Sequence, residues 1–193
     1  MNATTQIIGP AEAQARAVGR LGARRLEHSR RVAELAAHYA GLYGASRDEA
    51  LVAGWLHDVC RDVTAEEIVR MAGERGVPVG ALERGHPVGL LHAPVAAAEL
   101  RAAGLDERVA RAVELHTVGG PGMDALARCL YLADFCEPGR EFDGLREVRQ
   151  LAEHSLDQAV AAAARLTLLD VIARGRGVHP GALALYNEYY GAR

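Results

Sequence analysis

Ala53-Gly54-Trp55-Leu56-His57-Asp58, followed by Val59-Cys60-Arg61-Asp62, is the stretch on which the reading of this chain turns. An apolar, helix-patterned run ends in a histidine and an aspartate where a plain core would place two more aliphatic residues. Neighbours on a helix point about 100° apart, so the pair does not share one simple contact. Both side chains can still reach an ion if the helix end faces a cleft. The meaning of His57-Asp58 therefore depends on what the rest of the chain brings to it.

Upstream, Ser46-Arg47-Asp48-Glu49 is a capping box that opens the helix running to His57-Asp58. Before it, Val32, Leu35, Ala36 and Tyr39 recur at helical spacing within Leu26 to Tyr43, and His28 falls on the same face. Residues 1 to 10 form a loose start. Ala11 to Arg25 is helix-permissive but weakened by Gly19 and Gly22.

Downstream, Thr64-Ala65-Glu66-Glu67 is a second capping box, opening a helix through Glu74. Gly76 to Pro87 has turn chemistry and reads as a connecting loop with one short turn. Leu90 to Ala103 follows as a helix, with His92 at its start and Pro94 in its first turn. Asp106 to His116 is amphipathic, with Val109, Val113 and His116 on one face. Beyond the turn Gly119-Gly120-Pro121-Gly122, the spacing of Met123, Leu126, Leu130 and Asp134 predicts a helix to Phe135, stopped by Glu137-Pro138-Gly139-Arg140. A polar linker carries His154. Ser155 caps a long helix to Arg174, and His179-Pro180 leads into a last helix ending near Tyr190. No strand pattern and no repeat emerges, so the fold class is all-α, in a single domain.

Composition narrows the function classes. Half the residues are apolar and 24% are charged, as in an ordinary globular chain. A net charge of −3 argues against a general nucleic-acid binder. All 22 basic residues are Arg, so any phosphate contact comes from a forked guanidinium. Cys60, Cys129 and Cys136 lack CxxC spacing and lie in apolar sequence, which predicts reduced thiols in a cytoplasmic protein. No apolar run approaches the ~18 residues of a membrane span. The Leu156–Ala173 segment with Tyr186, Tyr189 and Tyr190 either buries against the domain or forms a homodimer patch.

His28, His57, Asp58, His92, His116 and Asp134 share one description: each lies in or at the end of a predicted helix, mostly among apolar neighbours. A lone histidine on an apolar face is more often a satisfied core residue than a ligand, and that is the plainer reading of His92 or His116 alone. Asp134 in an otherwise apolar helix resists it, because a buried carboxylate without a partner is costly. Taken jointly, four His and two Asp satisfy one another through metal ions. Imidazole and carboxylate suit Fe, Mn or Zn, and a carboxylate such as Asp58 can bridge two ions. His38, His86 and His154 read as solvated.

The order His28, His57-Asp58, Asp134 resembles the HD-domain metal-dependent phosphohydrolases. The words Arg25-Leu-Glu-His28-Ser, Leu56-His57-Asp58-Val-Cys-Arg61-Asp62, Leu91-His92-Ala-Pro-Val, His116-Thr117-Val-Gly119, Asp134-Phe-Cys-Glu137-Pro138-Gly-Arg140 and His179-Pro180 with Asn187 narrow the likeness to the YqeK family of bacterial HD hydrolases. It spans Arg25 to Tyr190. The resemblance implies an HD helical bundle over residues 21–193, preceded by a partly helical extension over 1–20. It implies symmetrical cleavage of diadenosine tetraphosphate into two ADP. His28, His57, Asp58 and Asp134 would then hold one metal, and Asp58 would bridge to a second held by His92 and His116. In the family the pair is similar to a di-iron centre. The family usually carries Lys at the position of Arg61 and Gly at those of Ala93 and Ala96; none of these departures removes a ligand.

Two metals about 3.5–4 Å apart would activate a bridging water as hydroxide and clamp a phosphate oxygen. Arg61 and Arg140, with Arg25 as a third, are candidates to neutralise the charge that builds during in-line attack; a helix-end Arg such as Arg140 can also simply cap carbonyls. Asp62 is a candidate to bond a ligating histidine, orient the attacking water or cap the next helix. Thr117 is a candidate phosphate contact or a helix C-cap. His179 and Asn187 have no spacing argument for metal. Two rival readings stay open: another HD nucleotide phosphohydrolase, acting on nucleoside mono- or triphosphates, and a catalytically silent nucleotide-binding sensor.

Overall fold

Both capping boxes open helices. Ser46 Oγ accepts from the Glu49 amide at 3.3 Å, and Thr64 Oγ1 accepts from the Glu67 amide at 3.2 Å, each satisfying an N–H that the first helical turn leaves unpaired. These caps start α3 (Arg47–Leu56) and α4 (Ala65–Glu74). The computed structural model describes residues 7–191. The remaining helices are α1 (Pro10–Val18), α2 (Ala23–Leu42), α5 (Ala81–Gly85), α6 (Pro87–Ala102), α7 (Glu107–Leu115), α8 (Ala125–Cys136), α9 (Leu145–Ala152), α10 (Leu156–Ala173) and α11 (Pro180–Tyr190). No strand occurs among the described residues, and no helix among them is long and apolar enough to cross a membrane.

Five helices make the centre. α2 packs on α3 and on α8, α7 packs on α6 and α8, and α3 also meets α7 and α8. Their contact faces are built from small residues: Ala33, Ala36, Ala40, Ala53, Ala96, Ala97, Ala110 and Ala133 are completely buried. Small side chains let helix axes approach closely, and close axes are what allow side chains from five helices to converge on one spot. α1 lies against α3 with Ala13 and Ala17 buried, α4 and α5 cover α6, and α9 and α11 lie on α10.

Three sequence expectations are corrected. The helix-permissive run 11–25 is two helices, because Gly19 closes α1 and Gly22, in extended backbone, begins α2. α6 starts at Pro87, earlier than Leu90, since Pro87 occupies the first helical turn where its missing N–H costs nothing. Pro94 consequently lies inside the helix, where it withholds the N–H that would normally reach the Leu90 carbonyl. Finally, the polar linker around His154 contains α9. Its apolar positions Leu145, Val148 and Ala152 are buried, but Arg146, Glu147, Arg149 and Gln150 lie between them and hide the period.

Cys60, Cys129 and Cys136 are free and buried, and burial pushes each thiol up to about 12. On α10, Leu169 and Ile172 are exposed. Tyr186 and Tyr190 stack with ring centroids 4.7 Å apart.

Candidate metal centre

The six residues singled out in the sequence are delivered by the five central helices. His28 comes from α2, His57 and Asp58 from the end of α3, His92 from α6, His116 from the end of α7 and Asp134 from α8. The four histidines and Asp58 are buried, His57 completely.

The arrangement is organised by Asp58. Its Oδ2 lies 3.7 Å from His28 Nε2 and 3.6 Å from His57 Nε2, while its Oδ1 lies 3.3 Å from His92 Nε2 and 3.7 Å from His116 Nε2. One carboxylate thus faces two pairs of imidazoles, one pair per oxygen. His28 Nε2 and His57 Nε2 are 3.3 Å apart, and His92 Nε2 and His116 Nε2 are 3.1 Å apart. Asp134 joins the first pair, with Oδ1 3.2 Å from His28 Nε2. Two donor groups, His28/His57/Asp58 and Asp58/His92/His116, each keep all their ligand atoms within 4.8 Å of one another.

The protons on these rings decide whether the set fits a cation. His57 Nδ1 lies 2.7 Å from the Gly54 carbonyl, His116 Nδ1 2.7 Å from the Val113 carbonyl, and His92 Nδ1 2.8 Å from the Val88 carbonyl. A carbonyl only accepts, so each Nδ1 carries the hydrogen and each neutral ring turns a bare Nε2 lone pair inward. Arg61 Nη1 also comes within 2.9 Å of His92 Nδ1 and 2.9 Å of the Val88 oxygen. A guanidinium cannot accept, so the two donors share that carbonyl. Burial holds His57 down to about 4 and lowers His92 as well, leaving both rings neutral at physiological pH. Lone pairs facing lone pairs and a carboxylate repel one another unless a cation stands between them. This donor set fits metal ions, two of them if Asp58 is shared.

The candidate substrate contacts form a positive rim. Arg25 Nη1 donates to Asp58 Oδ2 at 2.8 Å and Arg140 Nη2 to Asp134 Oδ1 at 2.5 Å. Burial raises Asp134, yet the Arg140 guanidinium beside it brings its carboxyl far below the ordinary value. Thr117 Oγ1 is 3.1 Å from both His92 Nε2 and His116 Nε2. Asp62 takes a role the sequence did not offer. Its Oδ2 accepts from the Gly22 amide at 3.0 Å and its Oδ1 is 3.8 Å from Arg25 Nε, so it fastens the start of α2 beside Arg25, while Thr64 caps the helix that follows. His179 caps α11, accepting from the Gly181 amide at 3.0 Å. His38 is exposed and lies 2.9 Å from Glu153.

Sequence reasoning assigned no role to Glu137 or Arg31, which form a half-buried ion pair at 2.7 Å beside His28. The available signal was a glutamate closing an apolar helix, Cys136-Glu137, where a C-terminus ordinarily favours a cation.

This fold and this donor set define an HD-domain protein: residues 25–139 match the HD domain family, and the chain belongs to it. Within the family, it is 35% identical to the symmetrical bis(5'-nucleosyl)-tetraphosphatase of Bacillus subtilis, over 83% of this chain and 86% of that one. The enzyme of the same name from Halalkalibacterium halodurans is 33% identical, over 85% and 88% of the two chains. The crystal structure of a predicted HD superfamily hydrolase involved in NAD metabolism, from Clostridium acetobutylicum, superposes with a TM-score of 0.88 at 28% identity, covering 97% of this chain and all of that one. The family reached from the motifs is the family found.

Proposed function

We propose that this chain hydrolyses diadenosine tetraphosphate symmetrically, releasing two ADP, at the buried His/Asp centre. The observation that carries this reading is the division of Asp58, one oxygen toward His28 and His57 and the other toward His92 and His116. His28, His57, Asp58 and Asp134 would hold one ion; Asp58, His92 and His116 would hold the other. Bound there, a metal pair supplies Lewis-acid activation of water and of a phosphate oxygen. Iron is the metal we propose, and the same donors serve Mn or Zn.

The chain's own residues do the rest. Water adds at one of the two central phosphorus atoms, and the bond to the bridging oxygen between them breaks. Arg140 and Arg25 stand over Asp134 and Asp58 and present guanidinium forks to the arriving polyphosphate. Arg61, anchored on the Val88 carbonyl that also accepts from His92, keeps a further positive charge beside that ring. The Thr117 hydroxyl marks the side on which the substrate enters the second group of ligands. A cavity of about 320 Å³ bounded by Leu90, Pro94, Thr117, Gly119 and His179 shares Thr117 with the centre, and it takes one adenosine of the substrate. A reducing cytoplasm suits the three buried thiols.

The test is product analysis. Purified protein loaded with iron, and separately with manganese, is incubated with diadenosine tetraphosphate and with adenosine mono- and triphosphates. ADP as sole product from the dinucleotide, with the mononucleotides untouched, is the expected result. AMP plus ATP, or preferential hydrolysis of a mononucleotide, overturns the reading; tight nucleotide binding without turnover would make the chain a sensor.

A further inference from the structure

The four histidines of the centre are not held alike. His57, His92 and His116 each fix their Nδ1–H on a carbonyl three or four residues earlier in the chain. His28 instead turns Nδ1 to a carboxylate from the far end of the sequence, Glu137 Oε1, at 3.5 Å. Glu137 is only 4% exposed, and its other oxygen is fully engaged. Oε2 accepts from Arg31 Nε at 2.7 Å and from the Gly139 amide at 2.8 Å. Arg31 lies one turn after His28 on α2, so a single helix supplies both the ring and the clamp on its partner. Gly139 leaves room for the same packing: a Cβ there would come within 2.9 Å of Glu137 Oε1 and 2.8 Å of Arg31 Nη2 and push on the clamp. Arg149 of α9 fastens the whole segment, donating to the carbonyls of Cys136 at 2.9 Å, Glu137 at 2.8 Å and Arg140 at 3.1 Å.

We infer that Glu137 is the positioning residue of His28: its carboxylate fixes the ring as the Nδ1–H tautomer and so turns the Nε2 lone pair toward Asp58 and Asp134. A carboxylate only accepts, so Glu137 demands the hydrogen on Nδ1, its negative charge strengthens Nε2 as a ligand, and an ion takes the place of the proton that Asp134 Oδ1, 3.2 Å from Nε2, would otherwise hold there. The inference rests on the reading that this centre holds metal. It adds that the first ion's affinity is set in part by a residue that does not touch the ion.

The clamp makes a sharp test possible. Arg31 and Gly139 both require an oxygen at the Oε2 position, so in Glu137→Gln the amide nitrogen must face His28. There it donates to Nδ1 and forces the hydrogen onto Nε2, the wrong nitrogen for a ligand, while shape and clamp are kept. A residue needed only for packing would tolerate Gln better than Ala. Positioning predicts the reverse order or equality: Mn(II) affinity of the His28 group falls about 10- to 100-fold in Glu137→Gln, at least as far as in Glu137→Ala. Ring ¹⁵N NMR of the Zn(II)-loaded protein, in which an ion rather than a proton faces the Asp134 carboxylate 3.2 Å from His28 Nε2, should show His28 with its hydrogen on Nδ1 in the wild type and without it there in Glu137→Gln. Wild-type Mn(II) affinity in a folded Glu137→Gln variant overturns the inference. So does a Zn(II)-loaded wild type in which His28 carries no hydrogen on Nδ1, which needs no variant to fold. Failure of the wild type to bind any metal would instead overturn the reading beneath it.

Discussion

Gly54 of α3 lies so close to Ala33 of α2 that a Cβ on Gly54 would come within 2.3 Å of the Ala33 Cα. This approach sets the separation of the helices that carry His28 and His57, and the Gly54 carbonyl also holds the His57 ring. The obstructing atoms are backbone, so no rotamer change relieves them. Gly54→Ala should therefore destabilise by about 3 kcal/mol, the upper end of overpacking costs, and lower Tm by roughly 6–12 °C. Metal affinity should fall with it, because the His28 and His57 nitrogens are driven apart. Thermal melts with and without added Mn(II) check both; an unchanged Tm would show that the two helices can separate freely.

Asp58 is shared by both ligand groups, whereas every other ligand serves one. Asp58→Asn keeps the shape but places an amide nitrogen toward one pair of imidazoles. We expect metal content to fall below one ion per chain, and turnover of the dinucleotide to fall at least about 100-fold. His92→Ala should leave the His28 group occupied. Metal analysis of gel-filtered protein separates the two variants, and equal content in both would argue against a shared carboxylate.

Much of this centre was legible because buried His and Asp contradict the helical pattern around them. Asp134 is the clearest case: on the face shared with Leu126 and Leu130, it has no reason to be there except a partner. Capping boxes marked α3 and α4 for a similar reason, since Ser46 and Thr64 act on amides three residues away. What sequence does not expose is contact between distant segments. The pairing of Asp62 with the Gly22 amide spans 40 residues, and that of Arg31 with Glu137 spans 106. α9 escaped notice because Arg146, Glu147 and Arg149 overwhelm a short apolar period. Yet Arg149 is what pins the Glu137–Arg140 segment to the body of the protein.

Arg140 pairs with Asp134 through one nitrogen, leaving the rest of its fork for a phosphate. Lysine carries the same charge as a point and cannot make two parallel bonds. Arg140→Lys should retain metal yet lose kcat/KM by about 10-fold, and Arg140→Gln by about 100-fold, because the charge is needed most as the ADP leaving group departs. The loss should fall mainly on kcat. A loss confined to KM would mean that Arg140 only recruits the substrate.

Away from the centre, Arg101 holds Glu114 at 2.8 Å and Glu107 at 2.7 Å. Burial alone would raise Glu114, but Arg101 and Arg111 outweigh it and bring the folded carboxyl below its ordinary 4.5. A folded value below the unfolded one means that the unfolded chain takes up protons first as the solution is acidified. The pairing therefore stabilises fully above pH 4.5 and is lost as pH falls through the folded value. Glu107 is largely exposed and screened, so Glu114 carries most of the effect, about 0.5–1 kcal/mol for a partly exposed pair. In urea titrations, Glu114→Gln should be less stable than the wild type at pH 7. The gap should close as the pH falls below 4.5, where the wild type gives up the same pairing. If the two proteins lost stability in parallel over that range, the Arg101 network would contribute nothing to folding.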